Sequence, residues 1–176
     1  MLKHKYICPI FLLFGLCSSI WLGRTGDYRY LLLCCILALA LTAWGAFDIR
    51  LGYFMPVYWR KKGALKGQIA LTFDDGPTAY TAEILALLKQ YGHTATFFCI
   101  GKQVEAYPEV ARRIVREGHS LGNHTYRHPT NFGFLAETDL RAEMQAADKA
   151  IARVTGKKVC LFRPPFGVSN PIWLRH

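Results

Sequence analysis

Acidic residues are scarce in this 176-residue chain, with twelve Asp and Glu against twenty-two Lys and Arg and a formal net charge of +10. Charge of either sign is nearly missing from two stretches, Tyr6 to Gly23 and Tyr30 to Phe47, each 18 residues long. The chain also lacks a phosphate-binding glycine loop, a dinucleotide fingerprint and any nucleic-acid motif, which removes the usual nucleotide-dependent classes. Its six cysteines have neither metal nor redox spacing. Cys8, Cys17, Cys34 and Cys35 lie in the apolar stretches, and Cys99 and Cys160 in runs that read as core strands, so buried thiols are the expectation.

The basic excess is unevenly placed. Residues 1–66 hold nine Lys/Arg and two Asp/Glu, while residues 67–176 hold thirteen and ten. The positive residues Arg50, Arg60, Lys61, Lys62 and Lys66 follow the second apolar stretch, a position that favours anionic lipid head groups over nucleic acid. A spanning helix needs about 20 apolar residues and at least about 17. Trp21, Tyr28, Tyr30, Trp44, Tyr53, Tyr58 and Trp59 gather near the ends of the two stretches, as interfacial aromatic belts do. The segment Arg24-Thr25-Gly26-Asp27 is long enough only for a tight turn. These features predict a transmembrane hairpin in residues 1–50, with spans near 6–23 and 30–47, and a basic-aromatic linker over residues 51–66. A cleaved signal peptide is the competing reading of the first stretch, against which stand the missing small-x-small cleavage site and the second apolar stretch. The positive charges predict both ends of the hairpin in the cytoplasm.

From residue 67 the pattern alternates between strand and helix. Gln68 to Phe73 is an apolar run of strand length, and Gly76-Pro77 stops it. Thr81 to Tyr91 reads as an amphipathic helix with Ile84, Leu85, Leu87 and Leu88, ended by Gly92. Ala95 to Ile100 reads as a second strand closed by Gly101, Pro108 to Glu117 as a helix opened by proline, and Ser120 to Asn123 as a third strand. Asp139 to Thr155 carries Leu140, Met144, Ala147, Ile151 and Val154 on one helical face and ends at Gly156. Val159 to Phe162 reads as a fourth strand.

Polar residues of chemical interest collect where these strands end. Asp74 and Asp75 are adjacent at the first strand end; side chains alternate along a strand, and like charges repel unless a cation or proton intervenes. One acid holding a metal and the other acting as a base would resolve that cost, and a solvated Asp-Asp turn is the plain alternative. His124 and His128 have the spacing of metal ligands on one turn or loop. Two imidazoles and one carboxylate make the donor set of a catalytic zinc with an open position. His119 reads as a structural histidine. Arg163 followed by Pro164-Pro165 suits a positioning cation beside a rigid groove wall.

Together, Thr72-Phe73-Asp74-Asp75-Gly76-Pro77, His124-Thr125-Tyr126-Arg127-His128 and Arg163-Pro164-Pro165-Phe166-Gly167 resemble the polysaccharide deacetylase family, the NodB-homology domain of carbohydrate esterase family 4. The resemblance implies an α/β fold, a distorted (β/α) barrel of the NodB-homology type. It implies a hydrolase that uses Zn2+ or a similar divalent ion to remove acetyl groups from an N-acetylated polysaccharide, peptidoglycan- or chitin-like. Asp75, His124 and His128 would be the metal ligands, and Asp74 the general base that draws a proton from the attacking water. Arg163 would pair with and orient Asp74. Phe166, where the family often has Tyr, would lend its backbone N–H to the oxyanion. Because such polymers mostly lie outside the cell, the resemblance places the catalytic part on the extracytoplasmic side, opposite to the charge count.

The family also carries an Asp/Trp segment and an L-x-H segment whose His serves as general acid. Here the sequence ends nine residues past Gly167. Leu174-Arg175-His176 spells L-x-H without the elements that should precede it. A full α/β barrel typically needs about 250 residues. The expectation is therefore that residues 67–176 form the N-terminal part of the domain, an incomplete barrel with its ligand set present and its general acid missing. A catalytically inactive remnant, or a carbohydrate-binding membrane protein, is the alternative reading.

Overall fold

The structure, a computed structural model, describes residues 3–54, 56–59, 63 and 67–168. The linker cations Arg60, Lys61, Lys62 and Lys66, and the Leu174-Arg175-His176 triplet, lie outside the described residues. The described residues fall into two compact units, the second running from Gly63 to Phe166.

The first unit is a helical hairpin. Helix α1 (His4–Thr25) and helix α2 (Arg29–Phe47) follow the two charge-poor stretches and extend each by a few residues. Gly26 ends α1 by donating its N–H to the Leu22 carbonyl at 2.8 Å, and the Asp27 carboxylate accepts the Arg29 N–H to start α2. No residue of α1 is buried, and only Gly45 of α2 is. Both helices are long and apolar enough to cross a membrane; at 1.5 Å per residue they measure about 33 and 28 Å, against a hydrocarbon layer of about 30 Å. Trp21 and Tyr30 meet edge to face at the turn. Tyr53, expected among the interfacial aromatics, is instead buried with Phe54, and its ring covers Gly45 so closely that a Cβ there would stand 2.2 Å from Tyr53 Cδ1.

The second unit is α/β. Strands β1 (Thr72–Gly76), β2 (Thr96–Cys99) and β3 (Ser120–Asn123) form a parallel sheet in chain order. Between them run α3 (Thr81–Gln90), α4 (Gly101–Ala106) and α5 (Pro108–Arg116), and α6 (Glu137–Thr155) follows β3. The core joins Leu85 and Leu88 of α3 with Phe97, Cys99, Val104, Ala111, Ile114, Leu121 and Ile151. On α3 the buried stripe is narrower than the apolar one, since Leu87 is exposed.

Three elements differ from the sequence reading. The first strand begins at Thr72 rather than Gln68, because its ladder starts where the Thr96 N–H reaches the Leu71 carbonyl; residues 68–70 precede any β2 partner, and Ile69 is 84% exposed. The fourth strand shrinks to one bridge, Asn123 to Phe162, held by Asn123 N–H to Leu161 O at 2.8 Å and Arg163 N–H to Asn123 O at 3.0 Å. Val159 still packs against the core, but Leu161 and Cys160, the latter expected in a buried strand, are exposed, as are Cys17 and Cys35 on the hairpin. Finally, α4 forms where only a strand stop at Gly101 was expected. Its first amides are capped from outside the helix: Gly101 and Lys102 donate to the carbonyls of Thr125 and Tyr126 at 2.9 and 3.0 Å. Tertiary contact, rather than local propensity, makes this helix.

Gly101 also lets α4 lie against α6. A Cβ at this position would stand 2.6 Å from Tyr126 Cδ2 and 2.9 Å from the Ala147 Cα. Gly101→Ala should therefore destabilise the α/β unit by about 1–3 kcal/mol, as overpacking does. Urea unfolding followed by circular dichroism tests this, and an unchanged midpoint would show that α4 does not pack as described.

Candidate active site

The two adjacent acids of β1 are turned apart by a bulge. Phe73 pairs with Phe97 and Gly76 with Cys99, so Asp74 and Asp75 together face the single residue Phe98. Asp75 takes a left-handed backbone conformation, φ 64°. Asp74 Oδ1 lies 2.7 Å from Arg163 Nη1, whereas Asp75 Oδ1 lies 3.4 Å from the Nε2 atoms of both His124 and His128. Neighbouring like charges thus meet different partners.

Arg163 is held on three sides. Its guanidinium also donates to Thr72 Oγ1 at 3.0 Å and lies 4.1 Å from the centre of the Phe98 ring, a cation–π contact. Its N–H is tied to Asn123, and its carbonyl meets His124 Nδ1 at 2.7 Å.

That last contact settles the His124 tautomer. A carbonyl only accepts, so Nδ1 carries the proton and Nε2 presents a lone pair toward Asp75. His124 is buried, and burial lowers its pKa from the ordinary 6.5 against the opposing pull of the Arg163 carbonyl. A neutral imidazole facing a carboxylate is a donor set rather than an ion pair. Asp75, His124 and His128 offer one oxygen and two nitrogens, all within 4.8 Å of one another. Ligands at about 2.0–2.1 Å from a tetrahedral zinc stand roughly 3.3–3.4 Å apart, the spacing of the two Asp75 contacts. The residues present fit such an ion.

The loop carrying both histidines is strained and clamped. Thr125 and His128 have φ of 68° and 54°, conformations that cost non-glycine residues about 1–2 kcal/mol each. Buried Asn123 braces it from the strand side: its amide donates to Met144 O and Asp148 Oδ1, and its side-chain oxygen accepts the Thr125 N–H at 2.7 Å. Glu143 braces it from α6, accepting the N–H groups of Tyr126 and Arg127 at 3.1 and 2.8 Å. Tyr126 in turn donates its hydroxyl to Glu105 at 2.9 Å.

Phe166, an exposed residue, also has a left-handed backbone, φ 59°, and its ring lies 5.0 Å from the His128 ring. The structure therefore gathers Asp74, Asp75, His124, His128, Arg163 and Phe166 at the carboxyl ends of the strands, the functional face of parallel α/β sheets. His119 is elsewhere, at the amino ends, where Nδ1 accepts the Ala95 N–H and the ring meets the edge of Phe97. Asn123, Glu143, Thr72 and Phe98 were not singled out from the sequence. Only Glu143 leaves a legible signal there: three residues after Leu140 and four before Ala147, it puts an acid inside an apolar stripe.

The fold class is that of parallel α/β enzymes with their polar cluster at strand ends. Within that class, the family model for polysaccharide deacetylases matches residues 61–175, and the chain belongs to this family. It is similar to a peptidoglycan-N-acetylglucosamine deacetylase of Bacillus cereus, 39% identical over 124 residues, which cover 66% of this chain and 45% of the relative. A chitin deacetylase of Pestalotiopsis is 38% identical over 60% of this chain and 36% of its own. Among solved structures, a family 4 carbohydrate esterase from Streptomyces lividans in complex with acetate superimposes with a TM-score of 0.59 at 38% identity, covering 64% of this chain and 57% of that one. The chain spans less than half the length of these two curated relatives.

The lowered His124 pKa has a consequence for the metal-free protein. The unfolded chain takes up a proton near pH 6.5, the folded one only at lower pH, so stability is full above 6.5 and falls as the pH drops through the lowered value. Urea midpoints at pH 7.5 and 5.5 should show this fall in the wild type and a smaller one in His124→Gln. Equal falls would mean that burial does not hold His124 neutral.

Proposed function

We propose that the chain acts as a metal-dependent N-deacetylase of a peptidoglycan- or chitin-like polysaccharide. The observation that carries this reading is the meeting of an Asp75–His124–His128 donor set with an Asp74–Arg163 pair at one strand-end cluster, in a member of this family. The names of the relatives, which act on peptidoglycan and chitin, support the substrate class.

Asp75, His124 and His128 would hold Zn2+ or a similar divalent ion, which supplies Lewis acidity toward the acetyl carbonyl and lowers the pKa of water. Arg163 fixes one oxygen of Asp74, leaving the other to take the proton from a water that attacks the acetyl carbon. Phe166, left-handed and with its ring against His128, would lend its backbone N–H to the carbonyl oxygen as negative charge develops. Cleavage of the C–N bond, with return to the departing nitrogen of the proton that Asp74 took up, would then yield acetate and the free amine of the sugar.

Residues 1–50 would form a membrane hairpin, 51–66 a linker beside anionic lipid, and 67–176 part of the deacetylase domain on the extracytoplasmic side, where such polymers lie. The outward apolar surface of α1 and α2 supports the hairpin.

The test is acetate release from N-acetylglucosamine oligomers by the zinc-loaded protein in detergent, abolished by chelator. Asp74→Asn should keep its zinc and lose at least about 100-fold in rate, the lower end of general-base contributions. His124→Ala should lower the zinc stoichiometry found by elemental analysis. Near-normal rates in Asp74→Asn would put the base elsewhere. Zinc binding without acetate release would favour a carbohydrate-binding role over a hydrolase.

A further inference from the structure

Glu143 is a carboxylate on the buried face of α6, 4% exposed, and nothing in the proposed chemistry uses it. One of its oxygens accepts two consecutive backbone N–H groups, those of Tyr126 and Arg127. The other accepts Arg127 Nε at 2.6 Å, from a side chain 69% exposed. The two amides belong to the middle of the segment from His124 to His128. Thr125 and His128, on either side of them, are held left-handed. A strained turn persists only where its surroundings determine it. Here the surroundings are Asn123 before the turn and Glu143 at its centre.

We propose that Glu143 is a positioning residue for the metal site: by gripping the Tyr126 and Arg127 amides it holds His124 and His128 at the separation that one ion requires. This rests on the metal-site reading above. The contact with Arg127 is secondary, because an exposed guanidinium can turn to water, whereas the two part-buried backbone amides are fixed by the turn and face buried Glu143. What matters is reach rather than charge. Glutamine at this position keeps the length and an acceptor oxygen for both amides. Aspartate keeps the charge but retracts the acceptor by one methylene.

The experiment is zinc affinity, measured by competition with a chromophoric chelator, for the full chain in detergent and for Glu143→Gln, Glu143→Asp and Arg127→Ala. Removing hydrogen-bonding support behind metal ligands typically weakens metal binding by about 10–100-fold. Glu143→Asp should fall in that range, while Glu143→Gln and Arg127→Ala stay within a few-fold of wild type. The cobalt-substituted protein gives a second readout: the d–d absorption should shift in Glu143→Asp and hold in Glu143→Gln. Equal affinities in the Gln and Asp variants, or a greater loss in Gln, would overturn the proposal and point to charge instead of reach. A wild type that binds no zinc would overturn the metal reading itself, a different result from a wrong order among the variants.

Discussion

Two carboxylates on consecutive residues cannot both stay ionised at one strand end unless something separates them. In this chain the separation is geometric. A bulge in β1 sets Asp74 and Asp75 against a single residue of β2 and turns one toward Arg163, the other toward the histidines. Each further part of the site answers to that division. Arg163 can meet Asp74 only because Phe162 pairs with Asn123 on the β3 side of the sheet, from where the Arg163 side chain crosses the Phe98 ring of β2 to an acid 89 residues earlier on β1. His124 can meet Asp75 with a lone pair only because the same Arg163 offers its carbonyl to the opposite ring nitrogen. One residue therefore serves both acids, through its side chain for Asp74 and through its main chain, by way of His124, for Asp75.

This arrangement is kept at some cost in backbone strain. Among the described residues, the non-glycine positions with positive φ are Asp75, Thr125, His128 and Phe166, and all four lie in the cluster. At about 1–2 kcal/mol each, such positions would relax if the chain were loose around them. Asn123 and Glu143, themselves buried, oppose relaxation with hydrogen bonds to the loop, and bonds to a charged acceptor contribute about 1.5–3 kcal/mol each. The balance favours a turn already set before any ligand arrives. A donor set that need not reorganise binds its ion and directs its chemistry without a further entropic cost.

Much of this was legible in the sequence, for reasons that also mark the limit. Helix α6 announces itself by periodicity and by Gly156, and β2 by a short apolar run, since burial of one face writes a pattern into neighbouring residues. The cluster of Asp74, Asp75, His124, His128 and Arg163 was legible because its residue types and spacings have few other uses. Helix α4 was not, because its amides are capped by the Thr125 and Tyr126 carbonyls, which no local pattern records. The bulge was not either: nothing in Thr72 to Gly76 shows that two residues oppose one. The supposed fourth strand misled for the converse reason. Val159 to Phe162 has strand composition, but composition does not supply the ladder partners a strand requires.

Scarcity of acid proves the most instructive feature of the composition. An even spread over a solvated surface is the ordinary arrangement for the ten Asp and Glu of residues 67–176, since most carboxylates are found there. Five depart from it. Asp74 and Asp75 are in the cluster itself, and Asp148, Glu143 and Glu105 bond to Asn123 or to the loop that joins the histidines. By contrast, Glu109 and Glu137 pair with Arg on the next turn of their own helices, contacts worth a few tenths of a kcal/mol. A carboxylate taken from water must find charged or hydrogen-bonding partners there, so buried Glu143 fixes the groups around it. In an acid-poor chain, the acids that find partners outside their own helix trace the framework of the site.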